Sequence, residues 1–285
     1  FERIKGTPVA SSVKVLGSNQ WLHSVSYFNR HFQPIQSIST NPRGGTMRSS
    51  TLVDYSGKPL KTIDVVDGIT TTRRFDYDHA GRVLRTYHKI NQQKEVVLSA
   101  EEYNSLGQPI GRNLHSVNGD PYLQSVDYRY DIRGLPTRIN NTQITGNKDA
   151  DDPEPDYFAM EFDYTNGFGS GSSPRRDGLY AAVKWKSDLG RKEQLYNFQY
   201  DGLRSLALAD YKMRDNSVGS PLWNNWLERY NESMTYDLNG NIQTLQRKNE
   251  STIDQLNYVY SNSNSSNQLQ YVNDSQVAEG FNNGN

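Results

Sequence analysis

Apolar and polar residues alternate with a period of two along much of this chain, and the clearest pairs are aromatic: Phe75/Tyr77, Tyr128/Tyr130, Phe198/Tyr200 and Tyr258/Tyr260. Residues two apart on a strand share a face, so each pair stacks on one side of a sheet. Directly after each of the first three pairs the pattern breaks at an Asp. Asp and Asn side chains bond the backbone two residues on, and a Gly a few places later accepts a positive φ, so these breaks read as turns. An aliphatic residue such as Val83 or Ile242 then restarts a strand.

The turn signal belongs to a seven-residue unit that recurs seven times: FNRHFQP from Phe28, VDYSGKP from Val53, YDHAGRV from Tyr77, YNSLGQP from Tyr103, YDIRGLP from Tyr130, YDGLRSL from Tyr200 and YDLNGNI from Tyr236. The first place is aromatic in six copies (Phe28, Tyr77, Tyr103, Tyr130, Tyr200, Tyr236). The second is always Asp or Asn (Asn29, Asp54, Asp78, Asn104, Asp131, Asp201, Asp237). The fifth is Gly in five (Gly57, Gly81, Gly107, Gly134, Gly240), and the seventh is Pro or aliphatic in all. The first five copies start 24 to 27 residues apart, and gaps of 70 and 36 residues follow. A period near 25 holds about two strands and two turns, or one hairpin per repeat. The expected fold is all-β: tandem antiparallel hairpins in a continuous curved sheet.

The same reading divides the chain into a lead-in segment at 1–23, hairpins at 24–140, an acidic and Gly/Ser-rich insertion or degenerate repeat at 141–180, further hairpins at 181–271, and a tail at 272–285 leading into a next repeat. MEFDYTNG and WKSDLGRKEQLY in the 70-residue gap carry partial features of the unit, as does LNYVYSNSNSSNQLQYV near the end. SPLWNNWLERYNESM has apolar spacing suited to a short helix or a wide loop. The opening FERIKGTPVA, without an initiator Met, and the ending AEGFNNGN lead us to expect a piece of a longer chain.

Composition sharpens the picture. Only 34% of the 285 residues are hydrophobic, mean hydropathy is -0.84, and 19 Tyr outnumber 9 Phe, a poor supply for a thick dry core. Aromatics at 11% and near-balanced charge argue against disorder. Tyrosine lays its ring on a sheet while its hydroxyl stays wet, so a sheet wetted on both sides fits. The absence of Cys excludes a disulfide scaffold and a thiolate metal site, a net charge of -1 provides no field for nucleic acid, and no apolar run reaches a membrane span of about 18 residues.

Candidate chemistry is sparse. Asp76, Asp78 and His79 could be drawn as acid, base and relay, yet the Asp78 place is Asn in two copies and Asn is no base, whereas turn capping survives the exchange. The histidines show no metal-binding spacing. The acidic run DADDPEPD includes Asp149, Asp151 and Asp152, a weak Ca²⁺ candidate without EF-hand spacing, and a solvated loop is favoured. GFGSGSSPRRDG lacks phosphate-loop spacing and reads as a linker. Trp223 and Trp226 could stack on a sugar ring, against the plainer reading of packing within a thin sheet. With neither a nucleophile elbow nor a cysteine, the chain is expected not to be an enzyme and to need no cofactor.

Tandem units of the form YDxxGR, as in Tyr77 to Arg82, resemble the tyrosine-aspartate repeats of the RHS/YD-repeat family over roughly Ser24 to Tyr271. SVSYFNRHFQPIQSI and VAEGFNNGN look most like surface or secreted members from Bacteroidetes. The resemblance implies a β-sheet spiralling into a hollow shell that encloses a polypeptide, often a toxin, on a secreted or surface protein. It implies as partners the neighbouring repeats of the full-length chain and either the enclosed polypeptide or a larger surface or secretion complex. No second acidic motif near the C-terminus takes over the self-cleaving core that follows the repeats in the family. The alternative readings are a carbohydrate-binding surface adhesin and a docked component of a larger secretion or surface complex.

Overall fold

The computed structural model describes residues 6–117, 119, 121–143, 156–171, 174–187, 192–215, 222–224 and 229–276. The chain divides into two compact units, Phe1–Val126 and Asp127–Asn285, a division that falls inside the 24–140 hairpin stretch.

The first unit is an antiparallel meander of β1 (Ala10–Lys14), β2 (Trp21–Phe28), β3 (Pro34–Thr40), β4 (Thr46–Val53), β5 (Pro59–Val66), β6 (Ile69–Tyr77), β7 (Val83–Ile90), β8 (Val96–Tyr103) and β9 (Pro109–Ser116), each paired with the next. Strand β10 (Gln124–Tyr130) straddles the division. The second unit continues with β11 (Pro136–Ile139), β12 (Phe158–Asp163), β13 (Ala182–Ser187), β14 (Gln194–Tyr200), β15 (Leu206–Asp215), β16 (Leu222–Asn224), β17 (Glu232–Tyr236), β18 (Ile242–Lys248), β19 (Thr252–Tyr260) and β20 (Leu269–Asp274). Its pairing is also antiparallel throughout, with β15 bonded to both β16 and β17. The fold is all-β.

Both units are thin, as their supply of apolar side chains requires. Fully covered apolar residues are few: Val97 and Ala100 in the first unit, and in the second mainly Ala159, Ala182, Leu195, Ala209, Tyr211 and Leu256. Most strand residues are half-buried. At 222–224, where the apolar spacing allowed a short helix, the chain forms β16 instead, because those residues pair with Met213–Asp215. The only helix-like segments among the described residues are two short turns, Gly167–Gly169 and Ser261–Asn264, and in the latter Asn262, Ser263 and Asn264 have φ of 54, 55 and 64°, so it is a left-handed bend.

Candidate functional site: the repeat corners

All seven units of the repeat form hairpin corners, joining β2 to β3, β4 to β5, β6 to β7, β8 to β9, β10 to β11, β14 to β15 and β17 to β18. In each, the first and seventh places face one another across the strands after a one-residue slip in register, as in Tyr77 opposite Val83. The second-place N–H donates to the sixth-place carbonyl and the fifth-place N–H to the second-place carbonyl, at 2.9 and 3.0 Å for Asp78, Arg82 and Gly81. This is a tight turn followed by a left-handed residue, which is why Gly81 sits at φ 80°. The slip leaves the sixth-place N–H without a ladder partner, and the second-place side chain supplies one. One side-chain oxygen of Asn29, Asp54, Asp78, Asn104, Asp131, Asp201 and Asp237 accepts that N–H at 2.8–3.1 Å. In five corners it also accepts the fourth-place N–H.

The role asks for an acceptor and not a base, so Asn serves as well as Asp. The spare amide of Asn must then donate, and both Asn corners carry Gln at the sixth place to receive it: Asn29 Nδ2 to Gln33 Oε1 at 2.6 Å and Asn104 Nδ2 to Gln108 Oε1 at 2.9 Å. Asp78 instead accepts from Arg82 Nε at 2.6 Å.

The aromatic at the first place reaches out of its own repeat. Tyr77 Oη donates to Pro59 O at 2.6 Å, Tyr103 Oη to Val83 O at 3.0 Å and Tyr236 Oη to Leu206 O at 2.9 Å. Each acceptor is the seventh place of the preceding corner, so the tyrosine hydroxyl couples successive repeats. Cations reinforce the joint: Lys58 lies 5.9 Å from the Tyr77 ring centroid and Arg82 4.6 Å from that of Tyr103. These sixth-place side chains also lie over the next glycine. A Cβ at Gly57, Gly81 or Gly107 would come within 2.7 Å of Gln33 Nε2, 1.9 Å of Lys58 Nζ or 3.1 Å of Arg82 Nη1. Where the glycine place holds Phe32 or Arg204, both residues keep the left-handed turn, at φ 62 and 69°. Arg204 instead reaches back to donate to Asp177 O at 2.8 Å. Of the remaining first-place aromatics, Phe28 has no hydroxyl and faces Pro34, and Tyr130 faces Pro136.

The same hydroxyl marks the corners of the degenerate units that MEFDYTNG and LNYVYSNSNSSNQLQYV announce in part. Tyr164 Oη donates to Pro136 O at 2.9 Å and Tyr200 Oη to Tyr180 O at 3.1 Å, placing Tyr164 and Tyr180 as first and seventh positions of a degenerate unit inside the long gap. Tyr260 Oη donates to Ile242 O at 2.9 Å and Tyr260 faces Leu269 after a register slip, the geometry of a further unit. At the opposite end of the strands, Asn41 caps the β3–β4 turn through N–H groups of Arg43 and Gly45 at 2.8 and 3.0 Å, with Gly44 at φ 85°. The signal there is Asn with Gly three places on, without an aromatic before it.

Among the other candidates, Trp223 is half-buried with Arg214 6.0 Å from its ring. Trp226, Asp149, Asp151 and Asp152 lie outside the described residues. Asp76, by contrast, pairs with Arg74 at 2.8 Å and accepts from Tyr87 Oη at 2.9 Å. His79 takes no part in either contact. The other polar cluster, in the second unit, is paired among its own members, with Arg214 Nε left buried without a hydrogen-bond partner among the described residues. Lys184 Nζ sits 3.0 Å from Glu161 and 3.7 Å from Glu193, Arg214 pairs with Glu193, and Thr142 Oγ1 donates to Glu161 at 2.6 Å. Burial pushes the Glu193 carboxyl up, but Arg214, Thr142 and Lys184 outweigh it and hold it below its usual range. Among the described residues no group of His, Asp and Glu is arranged to hold a metal ion.

The corners make stability pH-dependent at both extremes. The Ser56 hydroxyl holds Asp54 below the usual carboxylate range, the Arg82 N–H does so for Asp78 and the Asn241 amide for Asp237. At Asp131 partial burial opposes the shift but the Leu135 N–H and Arg133 prevail. A depressed pKa contributes stability above the unfolded value near 4 and loses it as pH falls through the folded one. Desolvation raises Tyr77, Tyr200, Tyr236 and Tyr260, whose contribution is intact below about 10 and fades as pH climbs through their raised values. Urea midpoints measured against pH should therefore form a plateau between about 5 and 9 and fall on both sides. Asp54→Asn and Asp237→Asn together should flatten the acid limb, and an unchanged limb would sink this account of it.

No protein-family model matches the sequence, and no curated protein matches it. Among solved structures, 94% of the chain is similar to part of the Tc holotoxin pore of Photorhabdus luminescens, at 12% identity and a TM-score of 0.48, and it spans 15% of that chain. A porin-like protein from Bacteroides uniformis is similar over 75% of this chain and 92% of its own, at 8% identity and a TM-score of 0.29.

Proposed function

We propose that the chain is a structural wall: tandem hairpins joined at their corners, enclosing or scaffolding a partner polypeptide on a secreted or surface protein, without catalysis of its own. The observation that carries this reading is how the recurring polar residues are spent. The shared oxygen at the second place of every unit is occupied by a backbone N–H, and the hydroxyls of Tyr77, Tyr103, Tyr200 and Tyr236 point at the neighbouring repeat's backbone. Residues repeated for chemistry would be free to meet a substrate, whereas residues repeated for a joint point into the fold. The resemblance of the YDxxGR units to shell-forming repeats supports enclosure in particular.

The test is protease protection of the purified full chain. Under native conditions proteinase K should leave a second polypeptide, or a distinct stretch of the same chain, undigested until the wall is unfolded by urea. Digestion of everything outside the repeats under native conditions would overturn enclosure. Retention on a glycan array that is lost in Trp223→Ala would replace it with an adhesin.

A further inference from the structure

Side-chain amides that build this fold bond inside it: Asn29 and Asn104 cap corners, Asn197 Nδ2 donates to Ser170 O at 3.3 Å, and Asn231 Oδ1 accepts the Tyr211 N–H at 2.8 Å. On one face of β17 to β20, in the second unit, they do not. Residues opposite one another across a ladder share a side. Ser233 stands opposite Gln246, and Gln246 opposite Gln255. Two residues along the strands Thr235 stands opposite Thr244, Thr244 opposite Asn257, and Asn257 opposite Asn273. Thr235 and Thr244 bond one another at 2.6 Å, but Gln246, Asn257 and Asn273 form no hydrogen bond with another described residue.

These two rows line a trough of about 610 Å³, within the range of about 300–1,000 Å³ for small-molecule sites. Neither row contains Lys, Arg, Asp or Glu. The nearest carboxylate, Asp274, stands opposite Leu256 on the other face, and its Oδ1 accepts the Gln255 N–H at 3.0 Å. At one end of the trough Tyr271 stands opposite Val259, on the same face as Asn273, and is 51% exposed.

We infer that this trough binds a neutral oligosaccharide. Each amide offers an acceptor and a paired donor side by side, which matches two adjacent sugar hydroxyls, one donating and one accepting. Amides repeated across three strands at the spacing of the ladder would meet such hydroxyl pairs along a run of sugar rings. The exposed Tyr271 ring supplies a flat apolar face for the C–H side of one of them. A phosphate or carboxylate ligand would find no cation to pair with, and a peptide would find no apolar pocket among the side chains of the two rows. The site is separate from the corners, and the enclosing role neither requires nor excludes it.

Native gels of the full chain, cast with dextran, galactomannan or mixed-linkage β-glucan, test this, with alginate as the charged comparison. The protein should be retarded in at least one neutral gel and run freely in alginate. Asn257→Ala with Asn273→Ala should weaken the retardation about tenfold, the loss of one or two hydrogen bonds. Both residues are exposed, as is Asn249 at the β18–β19 turn, and Asn249→Ala should leave binding unchanged. Tyr271→Ala should weaken it as well and Tyr271→Phe should not. Free migration in all three neutral gels would overturn the proposal. Retardation that survives the paired Asn substitutions would place binding outside the trough and overturn it equally, and stronger retardation by alginate would overturn the neutral class of ligand.

Discussion

Lys184→Met should destabilise the protein by about 3 kcal/mol, within the range of about 3–5 kcal/mol for removing one partner of a buried ion cluster. The amine lies between Glu161 and Glu193, whose side chains are only 18 and 8% exposed. Methionine fills the same volume but leaves two carboxylates facing each other in a covered site. Glu193 keeps Arg214 and Glu161 keeps Thr142, which places the cost at the low end. Adding Glu161→Gln to Lys184→Met should recover a good part of the loss, since it removes one of the two stranded charges. Urea denaturation of the single and double variants decides it. A single-variant loss below about 1 kcal/mol would show that the cluster is wetter than its burial implies.

Gly81→Ala should cost about 2–3 kcal/mol and Gly240→Ala about 1–2, although both glycines occupy the same place in the motif at φ 80 and 83°. The shared part is the price of holding an L-residue in the left-handed region. The difference comes from the preceding repeat: a Cβ at Gly81 falls on Lys58 Nζ, which must swing off the Tyr77 ring, whereas nothing lies within 4 Å of one at Gly240. The sixth place before Gly240 is Ser205, too short to reach it. In a Lys58→Ala background the two substitutions should cost the same. If Gly81→Ala remains costlier there, the lysine is not the cause.

These contrasts mark what the sequence makes legible. The corners are readable because their chemistry is local: an acceptor at the second place, a left-handed residue at the fifth and a strand restarting at the seventh all lie within one turn. The joints between repeats are not, because they depend on register. Tyr103 meets Val83 twenty residues back only once β7 and β8 have paired, and nothing near Tyr103 announces it. For the same reason MEFDYTNG shows only as a partial copy: its Tyr164 meets Pro136 28 residues back, and nothing in the sequence marks Tyr180 as the far side of that turn. Asn41 was missed for the opposite reason, having the turn chemistry but no aromatic before it. The catalytic-looking Arg73–Tyr87 stretch divides between the two faces: Arg74, Asp76 and Tyr87 interact on one, while Asp78 turns the corner.

The central claim is that the motif tyrosine is a joint between repeats through its hydroxyl, and removal of that hydroxyl alone tests it most directly. Tyr77→Phe with Tyr103→Phe deletes two inter-repeat hydrogen bonds and leaves both rings, and Tyr27→Phe with Tyr55→Phe is the control, the latter pair being 47 and 91% exposed. Urea unfolding should show a loss of about 2 kcal/mol for the first pair, near 1 kcal/mol per bond, and at most about 0.5 kcal/mol for the second. Equal losses in the two pairs would contradict the claim, leaving the tyrosines as ring packing with no coupling through their hydroxyls.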